Sequence, residues 1–232
     1  MAEEHNPKQI AGFAAADLIE DGTVVGLGTG STVWFTLVRL AERIAQEGLR
    51  VQGVPTSEDT HAKATELGIP LTTLEEVEGI DLTIDGADEI DGSFRMIKGG
   101  GGALLREKVV ASISRREAIV VGPTKVVDRL GTTFKLPVEV VPFARAVVTR
   151  AAVALGAEPH LRTTPEGAPY RTDNGNEILD CHFPDGIEDP EALELALDAV
   201  PGVVESGLFL GLAQVCVIGH PDGRCEIREL EG

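Results

Sequence analysis

The chain has 232 residues, 43% of them hydrophobic, and a formal net charge of −18 from 38 acidic and 20 basic side chains. That length suits one large domain, or a medium domain with a small one, and that apolar fraction fills a real core. The charge argues against a nucleic-acid binder, which needs a basic stripe, and no apolar run is long enough for a membrane span.

Met1-Ala2-Glu3-Glu4-His5-Asn6 is acidic and polar where a signal peptide is basic and then apolar, so a cytoplasmic protein is expected. Cys181, Cys216 and Cys225 are odd in number and lack metal-ligand spacing; buried thiols are expected, not a disulfide framework or zinc site. Only six of the 20 basic residues are lysine. A surface so acidic and lysine-poor suits concentrated salt, where the Debye length shrinks to about 3 Å.

In chain order, Asn6 and Pro7 open a first helix as N-cap and first-turn residue, with Ile10, Phe13, Ala14 and Leu18 on its apolar side and Asp21-Gly22 as its stop. A strand, Thr23–Leu27, runs into Gly28-Thr29-Gly30-Ser31-Thr32, and the amphipathic helix Val33–Glu47 follows, ended by Gly48. Strand, glycine loop and helix make an anion site, with backbone N–H groups and the hydroxyls of Ser31 and Thr32 turned to a phosphate or carboxylate. The competing reading is a tight turn with a serine N-cap. The loop is not a P-loop, and Gly26, Gly28 and Gly30 space as G-x-G-x-G, not as the dinucleotide fingerprint. The next strand, 51–54, ends in Pro55-Thr56-Ser57, where a nicotinamide enzyme more often places an acid. A helix over 59–67, closed by Gly68, and a short edge strand, Ile69-Pro70-Leu71, come next. His61, with no partner at ligand spacing, reads as a surface residue.

The densest chemistry lies between Asp81 and Lys108. Residues 81–84 read as a buried strand and Asp85-Gly86-Ala87-Asp88-Glu89 as the turn leaving it, which sets the carboxylates at the strand's carboxyl end, where an α/β sheet presents its ligand crevice. A short strand, Arg95-Met96-Ile97, delivers Lys98; Gly99, Gly100, Gly101 and Gly102 let backbone approach a ligand closely; a helix then starts at Ala103. Leu105, Val109 and Ile113 recur at i, i+4, i+8 and are expected to pack on the sheet. Glu107, about 200° round from Leu105, is expected off that face, aimed at whatever the loop binds. The bland alternative, an acidic surface turn and a solvated helix glutamate, leaves four consecutive glycines beside a lysine unexplained. The strand 118–121 then ends in Gly122-Pro123-Thr124-Lys125, another cation at a strand's carboxyl end.

From Phe134 the pattern changes to strand 134–141, helix 144–155, strands 158–163 and 177–183, helix 190–199 and strand 202–205. This βαββαβ order is the ferredoxin-like unit. Asp173-Asn174-Gly175-Asn176 is its middle hairpin turn and needs no catalytic role. Segments 208–218 and 226–230 flank Pro221-Asp222-Gly223 and are expected to return to the large domain. The expected fold is α/β: a Rossmann-like doubly wound sheet domain, 1–131 plus 206–232, with an inserted smaller ferredoxin-like α+β domain, 132–205.

DGADEID and KGGGGALLREK resemble the two signature blocks of the ribose-5-phosphate isomerase A family. GLGTGST from Gly26, LPVEVVPFA from Leu136, TDNGN from Thr172 and PGVVESGLF from Pro201 are similar to the same family, in a consistent order along nearly the whole chain. The resemblance implies an aldose–ketose isomerase that interconverts D-ribose 5-phosphate and D-ribulose 5-phosphate through an enediolate, in the non-oxidative pentose phosphate pathway. No cofactor and no metal are expected, and assembly as a homodimer or homotetramer is implied.

By the same resemblance Glu107 is the base, Lys98 with the amides of Gly99, Gly100 and Gly101 stabilises the oxyanion, and Asp85 and Asp88 hold sugar hydroxyls and help open the ring. Thr29, Gly30, Ser31, Thr32, Gly86, Ala87 and Lys125 are the remaining substrate contacts, a subset of them holding the phosphate. Gly102, alanine in some members, is expected to tolerate that change. The residues alone reach only as far as a sugar-phosphate or acyl enzyme with a carboxylate base. A coenzyme A transferase-like enzyme of the same broad fold and a sugar-phosphate-sensing effector domain are the alternatives.

Overall fold

The computed structural model describes residues 5–230; the acidic stretch 1–4, part of the reading against a leader, lies outside them. Its elements begin with α1 (Pro7–Ala16), β1 (Thr23–Leu27), α2 (Val33–Glu47), β2 (Val51–Pro55), α3 (Glu58–Glu66), β3 (Leu82–Gly86), β4 (Glu89–Ile90), β5 (Met96–Ile97), α4 (Leu104–Ser112) and β6 (Glu117–Val121). Next come β7 (Leu136–Val140), α5 (Arg145–Ala154), β8 (Glu158–Leu161), β9 (Glu177–His182), α6 (Pro190–Asp198) and β10 (Val203–Ser206). The last are β11 (Leu208–Phe209), β12 (Val215–Gly219) and β13 (Cys225–Glu229). No helix among the described residues is long and apolar enough to cross a membrane.

The chain divides into two compact units, one of Met1–Ala87, Arg106–Val126 and Leu212–Gly232, the other of Asp88–Leu105 and Val127–Gly211. The first is built on a six-stranded sheet in the order β13-β12-β6-β3-β1-β2, parallel except for the edge strand β13. β6 and β12 are buried along their whole length, as expected of strands covered on both faces. Val25, Leu27, Leu82, Ile84, Ala118 and Val120 form one core with apolar residues of α1 and α2, while Val54 and Ile80 pack with Val110 of α4 in another. From β1 the chain turns out to β2 on one side and then crosses to β3 on the other, so β1 and β3 flank the topological switch point.

The crossing of α1 and α2 depends on Gly12. A Cβ there would come within 2.8 Å of Phe35 Cβ and 2.9 Å of Thr32 O, and Thr36 Oγ1 donates to Gly12 O at 3.1 Å. α1 is thereby held against the first turns of α2, with Lys8 one turn before Gly12 on the same side of α1.

The second unit contains an antiparallel sheet in the order β10-β7-β9-β8, the ferredoxin-like arrangement expected from the βαββαβ pattern. Leu136, Val138, Val140, Leu179 and Cys181 line one face and share a core with Val148 and Ala152 of α5 and Leu193 and Leu197 of α6. A second small sheet, β11-β5-β4, is antiparallel throughout.

Three details depart from the expectations above, and a fourth, at the TDNGN turn, adds to them. Glu89 is not in a turn but in β4, fully buried, where its carboxylate accepts from the N–H groups of Gly131, Thr133 and Phe134 and from the Thr133 hydroxyl. Segment 208–218 is not continuous: β11 and β12 belong to different sheets, with 210–214 between them. The TDNGN turn does more than reverse the chain, because Thr172 Oγ1 and the side-chain amides of Asn174 and Asn176 all donate to Oε1 of the buried Glu139. Cys225 is exposed on the edge strand; Cys181 and Cys216 are buried, which pushes both thiols up to about 12.

The Glu89 carboxylate gathers one loop onto the second unit, so its removal has a predictable effect. Glu89→Ala strands three backbone donors and is expected to lower unfolding stability by about 3 kcal/mol or more. Urea unfolding measures this directly, with Glu89→Gln expected to lose less because one acceptor oxygen remains.

Candidate active site

In the first unit the chemistry gathers at the carboxyl edge of the parallel sheet. Gly26 and Gly28 are there for packing: a Cβ at Gly26 would lie 1.9 Å from Thr83 Oγ1, and one at Gly28 would lie 2.2 Å from Asp85 Oδ1. Gly30, at φ +116°, supplies the left-handed backbone that turns the loop into α2. The buried Asp85 organises that turn, its Oδ1 accepting from Thr29 N–H at 3.0 Å and Gly86 N–H at 2.7 Å. Thr29 Oγ1 lies 2.8 Å from both Thr56 Oγ1 and Ser57 Oγ. Thr56 and Thr60 in turn donate to the carbonyls of Leu27 and Gly28. This hydroxyl cluster holds the loop and was not singled out from sequence; its signal was the Thr-Ser pair at the end of β2.

The N-terminus of α2 is not capped by serine. Thr32 occupies the cap position without a side-chain cap hydrogen bond, and Ser31 Oγ accepts from Lys8 Nζ at 2.8 Å. An exposed helix start, a hydroxyl and an ammonium therefore stand together at the switch point, as an anion site requires. Lys8 is a cation that sequence reasoning missed, since 23 residues separate it from Ser31 and only the α1–α2 crossing joins them. Lys125 lies in a short 3-10 turn, Pro123–Lys125, just beyond the carboxyl end of β6.

The helix carrying Glu107 is rotated from the expected phase. Val109 and Ile113 are 41% and 40% exposed, whereas Leu104, Glu107, Val110 and Ala111 are buried. The buried stripe is thus 104, 107, 110 and 111, and Glu107 belongs to it. The reason is close packing on the sheet: a Cβ at Gly26 would meet Val110 Cγ1 at 2.8 Å, so the gap left by that glycine receives Val110. α4 runs against the strands, since Ile80 at the amino end of β3 exchanges backbone hydrogen bonds with Ile113 and Arg115 just beyond its C-terminus. Its first turn therefore lies at the carboxyl edge, where Arg106 Nη1 meets Oε1 of Glu58 at the start of α3 at 2.7 Å. Glu107 sits one turn from Val110 toward that edge. A carboxylate in the apolar stripe of a helix weakens packing and needs a different reason to be there.

In the second unit, Lys98 follows β5 and is only 2% exposed. Its Nζ lies 5.2 Å from the centroid of the Phe209 ring, and its backbone N–H donates to Gly207 O at 2.9 Å. Phe209 and Gly207 are further residues that the sequence did not nominate. Asp88 N–H donates to Ile97 O, and Asp88 Oδ2 accepts from Gly100 N–H at 2.7 Å, so Asp88 is bound to the glycine run. Gly99 and Gly102 have φ of +99° and +84°. An alanine at 102 is not the simple exchange expected: its Cβ would lie 2.3 Å from Tyr170 Oη, and its φ is strained for any L side chain. Burial holds the Tyr170 phenol above its ordinary range, so its hydroxyl remains a donor, here to Gly101 O at 3.3 Å.

A doubly wound sheet with an exposed helix start, a hydroxyl and an ammonium at its switch point, and a buried carboxylate at the same edge, is the arrangement expected of an α/β enzyme with a small anionic ligand. Comparison with known proteins makes this specific. The family model Ribose 5-phosphate isomerase A (phosphoriboisomerase A) matches residues 52–223. Ribose-5-phosphate isomerase A of Roseiflexus castenholzii is 53% identical over 226 residues, 97% of this chain and 96% of that protein. The solved structure of ribose 5-phosphate isomerase A from Methanocaldococcus jannaschii superposes with a TM-score of 0.91 at 38% identity, covering 96% of this chain and 97% of its own. A D-ribose-5-phosphate isomerase structure in complex with phospho-erythronic acid gives a TM-score of 0.93 at 36% identity, covering 97% of this chain and 100% of its own. The chain belongs to the ribose 5-phosphate isomerase A family.

Proposed function

We propose that this chain interconverts D-ribose 5-phosphate and D-ribulose 5-phosphate, with Glu107 as the base that takes the C2 proton and returns it to C1. The observation that carries the base assignment is the placement of Glu107 in the buried stripe of α4, where packing alone would have selected an apolar residue. Lys98 and the amides of Gly99, Gly100 and Gly101 stabilise the oxyanion of the enediolate. Asp85 and Asp88 hold the sugar hydroxyls and assist ring opening, with Gly86 and Ala87 alongside. Thr29, Gly30, Ser31, Thr32, Lys125 and, from the geometry, Lys8 bind the remainder of the substrate, the phosphate at the start of α2. The local cations matter because the net charge of −18 opposes an anionic substrate. The proposal includes a cytoplasmic enzyme that works as a homodimer or homotetramer, which sedimentation of the purified protein resolves.

The test is turnover of ribose 5-phosphate by the purified chain in excess EDTA, with ribulose 5-phosphate followed directly. Steady turnover is expected; a folded protein that binds the sugar phosphate without converting it would favour a sensor. Lys8→Ala is expected to raise KM about tenfold to a hundredfold with little change in kcat, because a charge-assisted contact to phosphate is the same in ground and transition states. An unchanged KM would remove Lys8 from the phosphate site.

A further inference from the structure

The glycine run has no side chain of its own to fix it, and its hydrogen bonds identify what does. Arg162, just after β8, donates from Nε and Nη2 to both carboxylate oxygens of Asp180 on β9, at 3.0 and 2.5 Å. Its Nη1 donates to Gly99 O at 3.0 Å and Gly100 O at 3.1 Å. The Tyr170 ring lies 5.8 Å from the same guanidinium, and its hydroxyl donates to Gly101 O. Three successive carbonyls of the run are therefore held by two side chains. Only a guanidinium has enough donors in a fixed plane to grip a carboxylate with one edge and two carbonyls with another.

These bonds set where the amides point. Across a trans peptide, a carbonyl and the following N–H face opposite ways. Drawing the carbonyls of Gly99 and Gly100 onto Arg162 turns the N–H groups of Gly100 and Gly101 away from it. Gly100 N–H ends on Asp88 Oδ2, and Gly102 N–H folds back onto Gly99 O at 3.0 Å. Gly101 N–H has no acceptor among the described residues, although neighbouring donors of the run are used.

We infer that Arg162, tied to Asp180, is a positioning residue that fixes the peptide planes of the glycine run so that Gly101 N–H faces the developing oxyanion. This rests on the reading that the amides of the run stabilise the enediolate. Arg162 acts through the backbone and does not touch substrate. Such donors stabilise a transition state only when they are aligned before the charge develops.

The experiment compares wild type with Arg162→Met, Arg162→Lys, Asp180→Asn and Tyr170→Phe in ribose 5-phosphate turnover, and measures binding of inorganic phosphate and phospho-erythronic acid to each. Arg162→Met is expected to lower kcat about 100-fold while KM and phosphate affinity stay within about threefold. Phospho-erythronic acid, whose carboxylate presents charge at the reacting end, should weaken far more than phosphate. Arg162→Lys should recover little, since an ammonium cannot span carboxylate and carbonyls. Asp180→Asn, the variant closest in shape, covers the case in which Arg162→Met does not fold and should lose about tenfold in kcat. Tyr170→Phe should lose least. Added methylguanidinium should restore part of the turnover of Arg162→Ala. A folded Arg162→Met or Asp180→Asn protein with kcat within about threefold of wild type overturns the inference, as does a parallel loss of phosphate affinity. Lys98→Ala and Glu107→Gln run alongside separate the failures: if they lose turnover and Arg162→Met does not, only the role of Arg162 falls; if they keep it, the reading of the site falls too.

Discussion

Glu107→Gln is expected to lower kcat by about 10²–10⁴ while leaving affinity for the sugar phosphate within about threefold. Glutamine keeps the shape and one oxygen acceptor, so the buried stripe of α4 keeps its packing, and what disappears is the ability to accept a proton. The substitution thus separates chemistry from folding. A positioned base is the largest single contribution in the proposed reaction, because the C2–H bond is otherwise far too weakly acidic to break at neutral pH. Retention of more than about a tenth of wild-type turnover would remove Glu107 from the base role.

Lys98→Ala carries the second largest expected effect, a loss of about 10²–10³ in kcat accompanied by a higher KM. Lys98 is 2% exposed, and its ammonium faces the Phe209 ring at 5.2 Å. Burial in surroundings of low dielectric makes that charge act strongly on a developing oxyanion. Alanine leaves a cavity as well, so Lys98→Met serves as the packing control: it fills the space, lacks the charge, and should lose as much kcat as alanine. Activity retained by Lys98→Met would assign Lys98 a packing role only. Steady-state kinetics on the two variants, with thermal melting to confirm the fold, decides between these outcomes.

Much of this was legible because local pattern and chemistry coincide. Strand, glycine loop and helix at Thr23–Glu47 announced the loop at the switch point, and the βαββαβ alternation from Phe134 announced the ferredoxin-like unit. The phase of α4 was not legible. Leu105, Val109 and Ile113 make a good apolar stripe on paper, but the face that packs is chosen by the room beside Gly26, on a strand remote from α4 in sequence. That same rotation placed Glu107 in the buried stripe, so the expectation that it lies off the core face failed for a reason that strengthens its candidacy. Lys8 and Arg162 were missed because each acts across a tertiary crossing, at Ser31 and at the glycine carbonyls, and neither sits in a motif of its own. Glu89 shows the converse: its acidic neighbourhood looks chemical in sequence, yet its hydrogen bonds tie a loop to a strand.

Proton transfer through an enediolate with Glu107 as base leaves an isotopic record, which isomerisation in D2O followed by NMR reads. Wild type is predicted to form ribulose 5-phosphate and to bring solvent deuterium to C1 of the ketose and, on longer incubation, to C2 of the aldose, while Glu107→Gln does neither. Isomerisation or exchange undiminished in Glu107→Gln would exclude Glu107 from that transfer.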